Sequence, residues 1–484
     1  MPVDQLPGRT ERNAGEKSVW RFLRGRKVII IALAIVGAII RIRYAYVRAG
    51  LPFQLEYEEG NILNAGFRIL HGASPYPAPG SFPYVLNPYG PVAYLLAAAS
   101  MKLLGISLFG PRLLVLVAGV GVALLIVLIS KSNGAAVEIA SLFGFFYLCS
   151  PVMWEWLPLL RVDLWAVFLT LLGLYVYQAY PRRWPIAAVI FSLALLTKHT
   201  TVAAPAACLL ELALEKKWRK ALAFSGMMGI IGAVGVWVAS LNGFPLFHLL
   251  KTHPDPYNLI RWFVALSIAA GWACLVLGII IYGLAFHFRP QPETRLAWLY
   301  LGLCCLTGFT AGKLGSNTNH FLESTAAACI LGALALTYLL EIQERLAKAF
   351  VLGLTALCVC LTLVPLEHGD VRDKSECAEA YAFVRTFPGE HVLSEDVSGV
   401  LLNGKPVLVS NPFVATQLGN SVSWSQASME GLVGNRYFDL ILFGDDPHAS
   451  GRWSPALKDA VAKNYRLERQ FRCSPYMATA FVPK

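Results

Sequence analysis

From Val28 to about residue 366 the chain is a succession of apolar runs broken by short polar clusters. The runs are roughly 15–20 residues each, the length a helix needs to cross a bilayer. So many runs find no room in a water-soluble core. Only 15% of the 484 residues are charged and 56% are hydrophobic, whereas a soluble chain carries about a quarter charged residues. The expectation is an all-α polytopic membrane protein with about eleven transmembrane helices. The formal net charge of +11 is not read as a nucleic-acid signal. Much of it sits beside apolar runs, where Lys and Arg set topology, and no DNA- or RNA-binding motif accompanies it.

The basic clusters order the chain across the membrane. RGRK at 24–27, Lys131, PRRW at 181–184, EKKWRK at 215–220, HFRPQPETR at 287–295 and EIQERLAK at 341–348 read as cytoplasmic. The N-terminal tail, 1–27, is then cytoplasmic, and the first span is a retained helix because no small-residue cleavage site follows it. The outward segments are 50–111, the turns at 150–163 and 197–201, and the stretches 242–262 and 312–321. Residues 91–104, PVAYLLAAASMKLL, are short for a crossing and are read as an in-plane or re-entrant helix.

After the membrane domain, 28–366, the composition turns soluble. Residues 367–484 are expected to form a small extracytoplasmic α/β domain. CAEAYAFVRTF has helical periodicity; HVLSED, KPVLVS and FDLILFG read as short strands; SPALKDAVAKNYRLERQFRC reads as helix, turn, strand. Of ten cysteines, eight lie in apolar runs and act as small hydrophobes. The other two, Cys377 and Cys473, are expected to pair if the domain lies in an oxidising compartment; two separate buried thiols are the alternative. No CxxC or Cys/His spacing points to a metal, and no GxGxxG or P-loop to a nucleotide. No cofactor is expected, although a divalent cation is left open.

Polar side chains in the hydrophobic part gather on the outward turns. The first segment carries Glu56, Glu58 and Glu59; the second Arg161 and Asp163; the third Lys198 and His199. The fourth carries His248, Lys251, His253, Asp255 and Arg261, and the fifth Lys313, Asn317, Asn319, His320 and Glu323. A transporter would place such groups near mid-membrane on broken helices. Carboxylates gathered with cations at one interface instead suit a general base beside an anionic leaving group such as a lipid phosphate. Each group also has a plainer explanation. Acidic residues favour a helix start, lysines snorkel to the interface, and loop histidines are commonly satisfied locally.

The segment EYEEGNILNAGFRILHGASPYP, followed by NPYGPVAYLLAAASMKLLGISLFGPR, resembles the first outer loop of GT-C membrane glycosyltransferases. These are the relatives of protein O-mannosyltransferases and the lipid A aminoarabinose transferase. RVDLWAVFLTLLGLYVY is similar to the R-x-D span of that family, LALLTKHT to its LTK turn, and GSNTNHFLE to a late turn of some members. The likeness covers roughly residues 28–340; its motifs are loose singly but keep their order.

The resemblance implies an enzyme of the plasma (inner) membrane that transfers a sugar from a polyprenyl-phosphate carrier to an acceptor hydroxyl at the outer face. Its partners would be that donor, a glycan, lipid or protein acceptor, and membrane lipids. The lipid-linked sugar is a substrate and not a cofactor. A loop carboxylate would act as base while Lys and Arg receive the departing phosphate. Where the family has Asp-Glu, this chain has Glu58-Glu59. Glu59 is slightly preferred as base because Gly60 leaves room beside it, with Glu58 close behind and Asp163 as the second carboxylate. Candidates for substrate binding are Glu56, Arg161, Lys198, His199, His248, Arg261, Lys313, Asn319, His320 and Glu323. The rival readings are a polymerase or ligase of lipid-linked glycans, and a flippase or transporter of them.

Overall fold

A computed structural model describes residues 9–252, 256–286, 288–342, 344–363, 374–421, 424–444, 452–473 and 477–484. Its membrane part runs through fifteen helices: α1 (Arg9–Ala49), α2 (Tyr57–Leu70), α3 (Pro91–Leu104), α4 (Phe109–Ser132), α5 (Val137–Cys149), α6 (Pro151–Trp156), α7 (Val162–Ala179), α8 (Trp184–Thr197), α9 (Ala203–Leu214), α10 (Trp218–Ser240), α11 (Pro245–Lys251), α12 (Leu259–Ala285), α13 (Arg295–Thr307), α14 (Leu322–Ile342) and α15 (Glu344–Leu363). Helix α1 takes up most of the expected tail: it is continuous from Arg9 into the first apolar run.

Among the described residues, seven helical stretches are long and apolar enough to cross a membrane: Ile29–Ala49, Phe109–Ser132, Val162–Ala179, Trp218–Ser240, Leu259–Ala285, Thr318–Ile342 and Arg345–Leu363. The other expected spans are α5, α8, α9 and α13, with only 13, 14, 12 and 13 residues. At about 1.5 Å per residue they reach some 18–21 Å, against a hydrocarbon core of about 30 Å. The basic ends of α9 and α13 are held level by an ion pair, Arg295 Nη2 to Glu215 Oε1 at 2.8 Å. Their far ends, and that of α8, which packs against α7 and α10, therefore stop about 10 Å short. That shortfall is a recess. Helix α3, 14 residues long, is also too short to cross, and it packs against α2, α4 and α8.

Residues 374–484 contain α16 (Lys374–Thr386), α17 (Val397–Leu401), α18 (Pro412–Leu418), α19 (Gln426–Gly434) and α20 (Pro455–Asn464). The strands are β1 (Val392–Ser394), β2 (Asn420–Ser421), β3 (Trp424–Ser425), β4 (Leu440–Phe443), β5 (Tyr465–Cys473) and β6 (Met477–Pro483). The main sheet has the order β1-β4-β6-β5, with β1 and β4 parallel and the other pairs antiparallel. The expected helix at 377–387 and strands at 391–396 and 438–444 are thus present. KPVLVS is not a strand of this sheet; its Val409 instead bridges Tyr84 of the first loop. Cys377 and Cys473 form a disulfide across 96 residues, tying α16 to β5.

The two parts are closely joined. Gly60 makes the approach feasible: a Cβ there would lie 2.6 Å from the Ser398 amide nitrogen of α17 and collide with Gln54. The backbone of Tyr84 exchanges hydrogen bonds with Leu408 and Ser410 at 2.8 and 2.9 Å. The room beside Gly60, expected to serve a catalytic Glu59, is filled by the C-terminal domain.

Candidate active site

A cavity of about 760 Å³ opens where the short helices end beneath this domain, within the size range of small-molecule sites. Its wall includes Glu56 and Glu58 from the first loop, Arg161, and Lys198 and His199 from the α8–α9 turn. Arg261 at the start of α12, and Lys313, Asn319 and His320 between α13 and α14, also line it, whereas Glu59, Asp163, His248 and Glu323 of the expected set do not. Folding thus brings together residues from five separate turns. His253 and Asp255 lie outside the described residues, and Lys251 is exposed at the end of α11.

The acidic start of α2 divides into two roles. Glu56 is the N-cap, and Glu56 with Glu59 makes a capping box, in which each side chain satisfies a free backbone N–H. Glu59 is fully buried and saturated. Its Oε1 accepts Arg112 Nε–H at 2.7 Å and Leu160 N–H at 2.7 Å. Its Oε2 accepts Arg112 Nη2–H at 2.7 Å, Leu55 N–H at 2.6 Å and Glu56 N–H at 3.1 Å. Burial alone would raise its pKa, but Arg112 and the backbone donors outweigh burial and hold it below the usual carboxylate range. Arg112 also binds the carbonyls of Leu51 and Phe53 at 2.7 and 2.9 Å. Glu59 is therefore a structural staple of the first loop and does not line the cavity, which corrects the preference for it as base.

Glu58 lines the cavity together with Glu56 and Glu155, and unlike Glu56 it is in no ion pair among the described residues. Its Oε1 accepts Asn411 Nδ2–H at 2.9 Å and its Oε2 accepts Asn61 Nδ2–H at 3.4 Å. Burial pushes its pKa up to about 7, with Arg161 pulling down and Glu56 adding to the rise. A carboxylate titrating near neutrality is suited to general-base work.

The cations are graded by what already holds them. Arg161 pairs with Glu56 at 3.0 Å and with Asp163 at 3.5 Å, and lies over the rings of Trp156 and Tyr89. Lys198 pairs with Asp163 at 2.5 Å. Among the described residues, no carboxylate forms an ion pair with Arg261 or Lys313. Asp163 is not on the main cavity. It holds Lys198 and accepts Asn319 Nδ2–H at 2.8 Å, so it organises the cation side and is not a second base. Asp163 and Glu323 line a side chamber of about 20 Å³ that shares Lys198, Asn319 and His320 with the main cavity. Glu323 is accordingly set back from the main space.

His248 is not part of the site. It is buried, its Nδ1 accepts Asn87 N–H at 3.1 Å, and its Nε2 lies 3.0 Å from the Pro77 carbonyl oxygen. Burial pushes its pKa down to about 4. A neutral ring donating from Nε2 and accepting at Nδ1 fits those partners; it pins the Pro/Tyr-rich loop.

Glu155, Tyr57, Tyr89, Trp156 and Arg452 also line the cavity, and Asn411 reaches Glu58 from the C-terminal domain. Glu155 lies in a turn singled out from sequence, yet its partners, Thr318 at 2.8 Å and Asn317 at 3.3 Å, come from 163 and 162 residues on. Arg452 lies over the Tyr57 ring and pairs with buried Glu395 at 2.6 Å. Asn411 carries only a helix-cap signal, Asn before Pro412. Arg41 is buried within α1, 4.1 Å from the centre of the Trp154 ring. Among the described residues, no group of three or more His, Cys, Asp or Glu could hold a metal ion.

No protein-family model matches this chain, and no curated protein matches it. Among solved structures it is similar to ArnT from Cupriavidus metallidurans bound to undecaprenyl phosphate, at 15% identity over 94% of this chain and 98% of that one, with a TM-score of 0.60. The apo state of ArnT agrees equally well. The Archaeoglobus fulgidus oligosaccharyltransferase tethered to an acceptor peptide covers 91% of this chain and 72% of its own, at 11% identity and a TM-score of 0.50. Both are GT-C glycosyltransferases. The chain is a polytopic membrane protein with the GT-C fold.

Proposed function

We propose that this protein is a membrane glycosyltransferase that takes a sugar from a polyprenyl-phosphate carrier and places it on an acceptor hydroxyl. The observation that carries this reading is that Glu58 shares one cavity with Arg261 and Lys313, cations with no ion-pair partner among the described residues. Glu58 removes the acceptor proton as the oxygen attacks the anomeric carbon. The bond from that carbon to the phosphate oxygen breaks, its electron pair leaves with polyprenyl phosphate, and a single displacement of this kind inverts the centre. Lys313 and Arg261 receive the phosphate charge, with Lys198 and Arg161 behind them on Asp163 and Glu56. Donors placed where charge develops are the usual source of such rate enhancement. The likeness to a protein solved with undecaprenyl phosphate supports the carrier class.

The orientation follows from charge and redox chemistry. Lys131, Arg182, Arg183, Lys216 and Lys217 lie at the ends of α4, α7 and α9 opposite the ends that adjoin the site, as cytoplasmic positions should, while the disulfide belongs on the oxidising side. We place the site at the outer face of the plasma (inner) membrane. A transporter is disfavoured because the charged groups cluster at the recess. A glycan ligase or polymerase is disfavoured because the acidic site belongs to the first loop. Purified protein in detergent, offered a panel of polyprenyl-phosphate sugars with hexose or pentose heads, should release polyprenyl phosphate from one class of carrier. Equal turnover in wild type and Glu58→Gln would exclude this mechanism.

A further inference from the structure

Glu58 lies on the membrane side of the site, yet the shorter of the two hydrogen bonds to its carboxylate comes from the C-terminal domain, 353 residues further along the chain. The donor, Asn411, is completely buried and has left-handed backbone angles, φ 55° and ψ 60°, which Asn and Gly tolerate best. Both polar atoms of its side chain are committed. Its Oδ1 accepts Val414 N–H at 3.2 Å and caps α18, while its Nδ2 donates to Glu58 Oε1 at 2.9 Å. Its backbone N–H donates to Asn61 Oδ1 at 3.0 Å, and Asn61 Nδ2 donates to Glu58 Oε2 at 3.4 Å. Glu58, Asn61 and Asn411 thus close a ring of hydrogen bonds across the junction between the two parts of the protein. The next turn is fixed as well, since Phe413 N–H donates to Tyr57 Oη at 2.8 Å.

We infer that Asn411 is a positioning residue for the Glu58 carboxylate, so that docking of the C-terminal domain completes the base. This rests on the reading of Glu58 as base. A helix cap alone needs only the oxygen of residue 411, and Asp or Ser would supply it. The amide donor aimed at Glu58 is what the cap does not require. A donor to an ionised carboxylate holds its orientation and favours its charged form. The other groups facing Glu58 are Arg161, which also favours that form, Glu56, which opposes it, and the phenols of Tyr57, Tyr89 and Tyr94. Loss of the Asn411 donor leaves burial and Glu56 less opposed, so Glu58 keeps its proton to higher pH.

Two variants separate this role from the cap. Asn411→Asp keeps the capping oxygen and removes the donor; Asn411→Gly keeps the left-handed backbone and removes the whole amide. The readout is the infrared stretch of the protonated carboxyl in purified full-length protein, titrated with pH and assigned by its loss in Glu58→Gln. The midpoint should rise by about one pH unit in Asn411→Gly and by more in Asn411→Asp. With a carrier that turns over, the acid limb of kcat should move in parallel while the KM for carrier changes less than about twofold. An unmoved midpoint in either variant that keeps the Cys377–Cys473 bond and the wild-type melting temperature overturns the inference and leaves Asn411 a helix cap. The titration needs no substrate. If no carrier is turned over but the midpoint shifts, the transferase reading fails alone; if Glu58→Gln abolishes transfer but the midpoint is unmoved, the positioning role fails alone.

Discussion

Arg112 and Glu59 form a doubly hydrogen-bonded ion pair, Nε to Oε1 and Nη2 to Oε2 both at 2.7 Å, with neither side chain exposed to solvent. The pair joins the start of α4 to the start of α2 and presents the neighbouring residue, Glu58, to the cavity. Breaking a buried pair by removing one partner strands the other charge and costs about 3–5 kcal/mol. Glu59→Gln and Arg112→Ala should therefore lower the melting temperature sharply and reduce yield. Glu58→Gln should melt as wild type does but lose about 10²–10⁴ in turnover, the usual worth of a general base. Thermal unfolding and turnover measured on the same preparations check both halves. Normal stability in Glu59→Gln would return Glu59 to the list of candidate bases.

The pH profile follows from the same neighbours. Glu58 must be ionised to act, and burial raises its pKa to about 7. Turnover should climb about tenfold per pH unit below 7 and level off above it. The stability signs of the two carboxylates are opposite. Glu58, raised, contributes stability that is complete below the ordinary carboxylate range and is lost as pH rises towards 7. Glu59, lowered, contributes stability present above the ordinary range and lost as pH falls through its folded value. A turnover profile flat from pH 5 to 8 would remove Glu58 from the base role.

The cavity cations should not be equal. Lys313 is half-buried and Arg261 exposed. A partly desolvated charge-assisted contact contributes about 1.5–3 kcal/mol, and an exposed one at most about 1 kcal/mol. Lys313→Ala should weaken undecaprenyl phosphate binding by about tenfold or more, and Arg261→Ala by no more than about fivefold. Native mass spectrometry with the carrier phosphate reads both. Unchanged affinity in Lys313→Ala would make that lysine a membrane-surface anchor.

Orientation and the disulfide are tested together. In right-side-out cells on a background lacking the eight free cysteines but keeping the Cys377–Cys473 bond, an impermeant thiol reagent should label Asp459→Cys and spare Lys217→Cys. The Cys377–Cys473 bond closes a loop with a sequence separation of 96, which in the chain-entropy model is worth about 4–5 kcal/mol. Reductant should therefore lower the melting temperature of the C-terminal domain. Labelling in the reverse pattern would put the site on the cytoplasmic face.

Much of this was legible along the chain, because bilayer crossing and helix capping are local demands. The apolar runs, the basic ends, the acidic start of α2 and the two cysteines of the soluble region each carry their signal within a few residues. The choice between Glu58 and Glu59 was not local. Adjacent carboxylates on a helix point about 100° apart, and what each one meets is decided elsewhere. Arg112 lies 53 residues away and Asn411 353 residues away. His248 shows the same limit: nothing in PLFHLLK says that its ring will find the Asn87 amide and the Pro77 carbonyl.

The sequence by itself determined that this chain spans a membrane, that its polar groups gather at one interface, and that a small α/β domain follows. Only the tertiary structure decided which groups share a cavity. The short helices α8, α9 and α13 leave a recess, the C-terminal domain covers it through the close approach at Gly60, and that docking separates a buried, saturated Glu59 from a poised Glu58. The physical reason is that hydropathy and capping act over one helical turn, whereas the desolvation and ion pairing that set a carboxylate's role depend on side chains hundreds of residues away.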